Sequence, residues 1–208
     1  MSEEGTPGTR WPVPAEDDLT GFAGEIADQV QSFLIALREI ARSGQPNGAV
    51  PLLLLEVSQL LLAGGRLAAI SDVVPEERFE PDPGFDPDVE DLRTALVKLL
   101  DPIDHYVEVF DPYAAEAVPE TYSLSDDLAQ IAVDLNHGLE HYRRSRIIEA
   151  LWWWQFSYFS SWGGQASGVV RALQSVVAHD RMDREYGKEI DEEDRLLAEV
   201  VAEAAELP

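Results

Sequence analysis

Apolar residues recur at three- and four-residue spacing along most of this 208-residue chain, and this helical period constrains the fold more than any other feature. It is clearest from about Thr20 onward, where one face carries Ile26, Val30, Phe33, Leu34, Leu37 and Ile40. A second such face carries Leu124, Leu128, Ile131, Leu135, Leu139 and Tyr142, and Ser123 and Asp126 ahead of it predict an N-cap with a capping box. Further helices are predicted over residues 49–73, 87–100, 123–144 and 146–180, with no convincing strand. The helix over residues 49–73 is dense in leucine on most sides, which predicts a central position in the bundle. The pattern predicts an all-α fold, a single-domain helical bundle of five to six helices.

Three segments lack this period. Residues 1–18 mix glycine, proline and acidic residues and predict a disordered arm ahead of a helical bundle domain over residues 19–182. Residues 183–208 predict an acidic C-terminal helical tail. Residues 103–122 carry aromatic anchors and predict one long ordered loop, a feature that is uncommon inside a compact domain and sometimes functional.

The composition excludes several classes of function. The 15 Lys+Arg against 40 Asp+Glu give a net charge of −25, which repels phosphate, so we expect no direct nucleic-acid binding and no membrane attachment. The absence of cysteine excludes disulfides and thiolate catalysis. The longest apolar run, PLLLLEVSQLLLAGG, falls short of the roughly 20 residues of a membrane span. The N-terminus lacks a signal-peptide pattern, so we expect a soluble, cytoplasmic protein.

The segment ALWWWQFSYFSSWGG, residues 150–164, places seven aromatic rings in fifteen residues. On a helix that turns about 100° per residue, these rings form three stripes. The stripes are Trp152-Phe156-Phe159-Gly163-Ala166, Trp154-Tyr158-Trp162, and Trp153 alone. The first predicts a packed crossing at which Gly163 admits another helix. The other two are either core or a surplus face that binds a partner, and both interpretations stay open.

Four spaced motifs form a recognisable combination. They are Tyr106-x-Glu108-x-Phe110-Asp111-Pro112-Tyr113, Ser123-Leu124-x-Asp126-Asp127-Leu128-Ala129-x-Ile131, Trp152-x-Trp154-x-Phe156 and Trp162-Gly163. Together they resemble a bacterial family catalogued as domain of unknown function 5063. The resemblance covers roughly residues 20–180 and is densest over 106–163. It implies a helical fold and no particular activity.

Few residues have the pattern of a chemical site. Asp134-x-x-His137 repeats the carboxylate–histidine spacing of metal-binding bundles, and His141 lies one turn further on. One helix supplies half a metal site, and a solvated or salt-bridged helix face is the competing interpretation. Glu108 and Asp111 have the residue types of an acid/base pair, but no partner nucleophile accompanies them. We therefore expect no catalytic residues, no bound metal and no cofactor.

These observations favour a non-catalytic protein–protein interaction, adaptor or regulatory module whose partner is another protein, for instance a basic one. The candidate partner-binding residues are Trp153, Trp154, Tyr158 and Trp162 in the aromatic segment, and Tyr106, Glu108, Phe110, Asp111 and Tyr113 in the loop. One alternative is a metal-dependent helical-bundle enzyme using Asp134, His137 and His141. A second alternative is an acidic regulator that competes with nucleic acid for a basic protein.

Overall fold

The computed structural model describes residues 16–76, 88–109, 113 and 115–182. Its helices are α1 (Glu16–Ser43), α2 (Pro46–Ala68), α3 (Glu90–Leu100), α4 (Leu124–Arg143), α5 (Ile147–Ser157), a π-helical turn (Tyr158–Trp162) and α6 (residues 163–182). Two short strands are present, β1 (His105–Glu108) and β2 (Glu120–Ser123). The predicted all-α, single-domain bundle is confirmed. Apart from residues 16–18 of α1, the predicted arm and tail lie outside the described residues.

The helices α1 and α2 form an antiparallel hairpin. The face predicted for α1 is buried, with Ile26 and Leu37 fully enclosed. The connecting turn uses Gly44 at a φ of 61°, a left-handed conformation that glycine adopts without strain. Arg66 near the end of α2 forms an ion pair with Glu25 near the start of α1, which closes the open end of the hairpin.

The leucine-rich helix α2 is not the central helix that its composition predicts. Leu53 is fully buried, but Leu52, Leu55 and Leu62 are 50%, 50% and 70% exposed. The stretch Gly48–Ala68 spans 21 residues with a mean hydropathy of 1.6, so its length and composition match those of a membrane span, contrary to the prediction. Here one face of α2 packs against α1 and α5, and another face leaves leucines exposed.

The central helix is α4 instead. It contacts α1, α3, α5, the π-helical turn and β2. Its apolar stripe is the predicted one, and Leu128, Ile131 and Leu135 are fully buried. Since α4 touches most of the other elements, it fixes where β1 and the aromatic segment lie in the bundle.

The N-terminus of α4 is capped by a residue that is distant in the sequence. Ser123 is the N-cap residue, as predicted, but its side chain makes no capping hydrogen bond. Asp104, which precedes β1, accepts the Ser125 backbone N–H at 2.9 Å and the Ser123 hydroxyl at 2.8 Å. The predicted capping box with Asp126 is wrong, because Asp126 forms an ion pair with Arg93 of α3. The Asp104 cap therefore ties the start of β1 to the start of α4.

The predicted loop over residues 103–122 is wrong at both of its ends. The strands β1 and β2 form an antiparallel ladder in which His105 lies opposite Ser123 and Glu108 lies opposite Glu120. Each strand has four residues, too few for an alternating pattern to stand out in the sequence. Because β2 leads directly into α4, the ladder holds residues 105–108 against the bundle.

Candidate functional site

The aromatic segment is partly core and partly surface, but most of the predicted assignments are reversed. Trp154 and Trp162, which were candidates for partner binding on a stripe left open between core and surface, are 0% and 1% exposed. Their indole N–H groups donate to backbone carbonyl oxygens at 3.1 and 3.2 Å. Phe156 and Phe159, placed in the core, are 47% and 62% exposed. Trp152 is buried as predicted, and Phe156 stacks on it with ring centroids 4.8 Å apart.

The π-helical turn explains part of this reversal. A π-helical residue turns by less than 100°, so stripes drawn with a constant step lose register across it. The rings of Tyr158 and Trp162 lie over Gly64 of α2, where an added Cβ would come within 2.7 Å of the Trp162 ring. Gly163, by contrast, is approached by the Tyr158 carbonyl and ring of its own turn. The close helix crossing is therefore at Gly64 and not at the predicted Gly163.

Trp153 and the two histidines of α4 form a second aromatic group. Trp153 is half-buried, and its ring centroid lies 5.5 Å from that of His137 and 6.4 Å from that of His141. The histidines are 7% and 2% exposed, so they do not belong to a solvated helix face. Asp134 accepts a hydrogen bond from Gln130 at 3.1 Å, and burial raises the pKa of Asp134. Within the described ranges, no three histidine or carboxylate side chains are grouped to hold a metal ion.

A long cleft lies between β1 and α6. One cavity, of about 610 Å³, is lined by residues 102–108 and by the later half of α6. A second, of about 590 Å³, is lined by residues 107–109, the π-helical turn and the earlier half of α6. Both cavities include Val107, Glu108 and Arg171 in their lining. The two cavities are therefore halves of one cleft, which we call the β1–α6 cleft.

The second cavity is lined by small residues and by exposed apolar ones. The small residues are Gly163, Gly164, Ser167 and Gly168. The apolar residues Phe159 and Val107 are 62% and 66% exposed. A Cβ at Gly168 would lie 2.7 Å from the Tyr106 hydroxyl oxygen, so β1 packs on α6 too closely for a larger residue there. The close packing fixes the position of β1 against α6 at this point of the cleft.

Glu108 and Arg171 meet in the middle of the cleft. The Glu108 side chain is only 8% exposed, while that of Arg171 is 72% exposed. Oε1 of Glu108 lies 3.2 Å from Nη1 of Arg171 and accepts the Val109 backbone N–H at 2.9 Å. Oε2 is buried and has no hydrogen-bond partner in the part of the chain that the structure describes. A buried carboxylate is thus balanced by an arginine that is mostly in water.

Tyr106 and Asp127 hold β1 in place two residues before Glu108. The Tyr106 hydroxyl donates to Oδ2 of Asp127 at 2.8 Å, and Asp127 is 6% exposed. Burial, together with the neighbouring carboxylate, raises the pKa of Tyr106 far above its ordinary value. Burial also raises the pKa of Asp127, although the hydrogen bond from Tyr106 opposes that shift. Tyr106 is therefore a protonated anchor that joins β1 to α4 and positions Glu108.

The structure brings only some of the predicted residues together. Glu108 and Tyr158 line the cleft, whereas Trp154 and Trp162 are core. Tyr113 is 96% exposed, and the predicted Phe110 and Asp111 lie outside the described residues.

Sequence reasoning missed Arg171 and the small-residue face of α6. A signal for both was present. Gly163, Ser167 and Arg171 follow at four-residue spacing, which places two small residues and a cation on one helix face.

Comparison with known proteins agrees with the resemblance and adds a structural neighbour. The family described as "Domain of unknown function (DUF5063)" matches residues 17–179. Protein BF1032 from Bacteroides fragilis, known from a crystal structure, has a TM-score of 0.57 and 21% identity, covering 73% of this chain and 89% of that chain. At this identity the likeness shows a shared fold alone. No curated protein matches this chain.

Proposed function

This chain belongs to the DUF5063 family, and we propose that it binds another protein by taking an extended, basic segment of that protein into the β1–α6 cleft. The observation that carries this proposal is that two apolar residues lining the second cavity, Phe159 and Val107, are each more than half exposed. Exposed apolar surface of this kind marks binding sites on soluble proteins.

The length of the cleft favours a peptide segment over a small molecule. From Phe159 to His179, the lining helix runs on the order of 30 Å at 1.5 Å per residue. An extended chain covers that distance with about nine residues at 3.3 Å each.

The charge of the molecule favours a basic partner. The net charge of −25 attracts cationic segments from a distance, and the buried Glu108 carboxylate places one negative charge inside the cleft. The polar groups beside it support binding better than catalysis, because Tyr106 and Asp127 are hydrogen-bonded to each other.

A peptide selection tests this proposal. Random nonapeptides displayed on phage are selected against the immobilised full chain, and enriched peptides are measured in solution by fluorescence anisotropy. We expect enriched peptides to combine apolar residues with lysine or arginine. Phe159→Ser should weaken their binding by about tenfold or more, because exposed aromatic residues are frequent binding hot spots.

Leu62→Ser is the matched control. It also replaces an exposed apolar residue, 70% exposed, but on α2 and outside the cleft lining. Both variants should keep the circular dichroism melting curve of the parent, and Leu62→Ser should keep the peptide affinity as well. Failure to enrich any peptide would refute the proposal. Peptides that bind the parent and Phe159→Ser equally would place the binding surface outside the cleft.

A further inference from the structure

We infer that Glu108 selects one lysine or arginine side chain of the incoming segment, and that Arg171 moves into solvent when this side chain binds. The inference rests on the proposed function and adds the chemistry by which the cleft recognises its partner. Glu108 lies where the two cavities meet, so the selected side chain belongs to the middle of the bound segment.

The difference in burial between the two partners makes Arg171 the replaceable one. A carboxylate that is 8% exposed needs a cation beside it, because a buried charge without a partner is strongly unfavourable. A guanidinium on a side chain that is 72% exposed loses little when it leaves, since ion pairs of exposed groups contribute little. A second cation can therefore replace Arg171 while the Glu108 carboxylate stays in place.

The unused carboxylate oxygen gives an incoming cation an advantage over Arg171. Arg171 reaches Oε1, whereas Oε2 is buried and has no hydrogen-bond partner among the residues that the structure describes. An ammonium group has three N–H donors and a guanidinium has five, enough to bond to both oxygens. Satisfying a buried acceptor that was left unpaired is favourable in itself. The bound state thus gains a hydrogen bond that the free protein lacks.

Glu120 provides a matched control on the neighbouring strand. It lies directly opposite Glu108 in the β1–β2 ladder and carries the same charge. Its side chain is exposed, and its Oε2 accepts a hydrogen bond from the Tyr122 hydroxyl at 3.0 Å. Glu120→Gln therefore removes one negative charge beside the cleft without altering its interior.

Three fluorescein-labelled nonapeptides test the inference. All alternate valine and serine, and they have lysine, norleucine or glutamate at the centre. Norleucine keeps the aliphatic stem of lysine and removes the charge. Anisotropy at about 0.15 M salt limits general attraction to the acidic surface, because the screening length is then about 8 Å. We expect the lysine peptide to bind the parent about tenfold more tightly than the norleucine peptide, as a buried ion pair can provide.

The variants separate recognition by Glu108 from general attraction. Glu108→Gln should abolish the preference for lysine and leave the affinity for the norleucine peptide unchanged, whereas Glu120→Gln should keep the preference. Arg171→Met should bind the lysine peptide several-fold more tightly, because the competing cation is gone. If the ion pair has only a structural role, Arg171→Met should bind the lysine peptide more weakly than the parent does. Circular dichroism melting shows that each variant is folded.

Several outcomes would refute the inference. If the lysine and norleucine peptides bind the parent equally, Glu108 has no recognition role, and the proposed binding of an extended segment stands without its preference for a basic one. If neither peptide binds, the inference fails, and the proposed function fails with it only if the phage selection also enriches no peptide. If Arg171→Met weakens binding of the lysine peptide, Arg171 is not displaced. A glutamate-centred peptide that binds most tightly, and is lost in Arg171→Met, would assign the cleft to anionic segments instead.

Discussion

Two adjacent glycines of α2 have opposite surroundings, and they provide a test at the scale of single residues. Gly64 lies beneath the rings of Tyr158 and Trp162, whereas nothing lies within 4 Å of a Cβ placed on Gly65. Gly64→Ala should therefore lower the free energy of unfolding by about 1–3 kcal/mol, the usual effect of overpacking. Gly65→Ala should raise it by up to about 1 kcal/mol, because alanine is the better helix former. Urea denaturation measures both changes.

The test depends on the two substitutions changing the free energy of unfolding in opposite directions. If both alanines stabilise the protein, the aromatic rings do not pack on α2 and the placement of the π-helical turn is wrong. If both destabilise it, Gly65 has a neighbour that this structure does not show.

The burial of individual aromatic residues was only partly predictable. Trp162 is the last residue of the π-helical turn. No residue in that turn signals that the rotation per residue falls below the 100° of an α-helix. Hydroxyl groups are no guide to burial in this segment, because Ser157 is buried and Ser160 is exposed. Both hydroxyls donate to backbone carbonyl oxygens four residues earlier, which satisfies them within the helix.

At the scale of elements, Gln155 joins α5 to the end of α2. Its side chain is 4% exposed; Nε2 donates to the Leu67 carbonyl at 2.9 Å, and Oε1 accepts the Val73 N–H at 2.9 Å. Gln155→Leu should lower the free energy of unfolding by about 2–3 kcal/mol, because it leaves two buried backbone groups without partners. Thermal denaturation followed by circular dichroism measures this loss.

Gln59→Leu is the control for that substitution. Gln59 lies on the exposed side of α2, so the same change there should alter stability by about 0.5 kcal/mol or less. Equal stability of Gln155→Leu and the parent would show that water satisfies the two backbone groups and that the amide bridge is not needed.

Long secondary-structure elements were easier to predict from the sequence than short ones. The periods of α1 and α4 extend over several turns, so their buried faces were predicted correctly. Strands of four residues show no reliable period. The cap on α4 comes from Asp104, about 20 positions before the residue it bonds, and no local pattern reveals a contact of that kind. The β1–α6 cleft depends on the short strand β1 and on the Asp104 cap that holds it. Neither could be predicted, which is why Glu108 was predicted without its partner Arg171.

At the scale of the whole molecule, the net charge of −25 opposes folding through repulsion between acidic side chains. Raising sodium chloride from about 0.02 to 0.3 M shortens the screening length severalfold, so the melting temperature should rise. The same change should weaken peptide binding in the cleft, because attraction between opposite charges is screened too. Differential scanning calorimetry and anisotropy measure the two effects. A melting temperature that falls with salt would show that ion pairs outweigh the repulsion.

The Gln155 bridge also implies an order of events in folding. The α1–α2 and α4–α5 pairs each join neighbouring segments, and contacts over short separations close quickly. Gln155 instead bonds to residues 82 and 88 positions earlier, so the bridge forms only after a long loop has closed. We expect the α1–α2 and α4–α5 pairs to form first, and the docking of one pair on the other to limit the rate of folding. Gln155→Leu should then accelerate unfolding and leave the early helical phase unchanged.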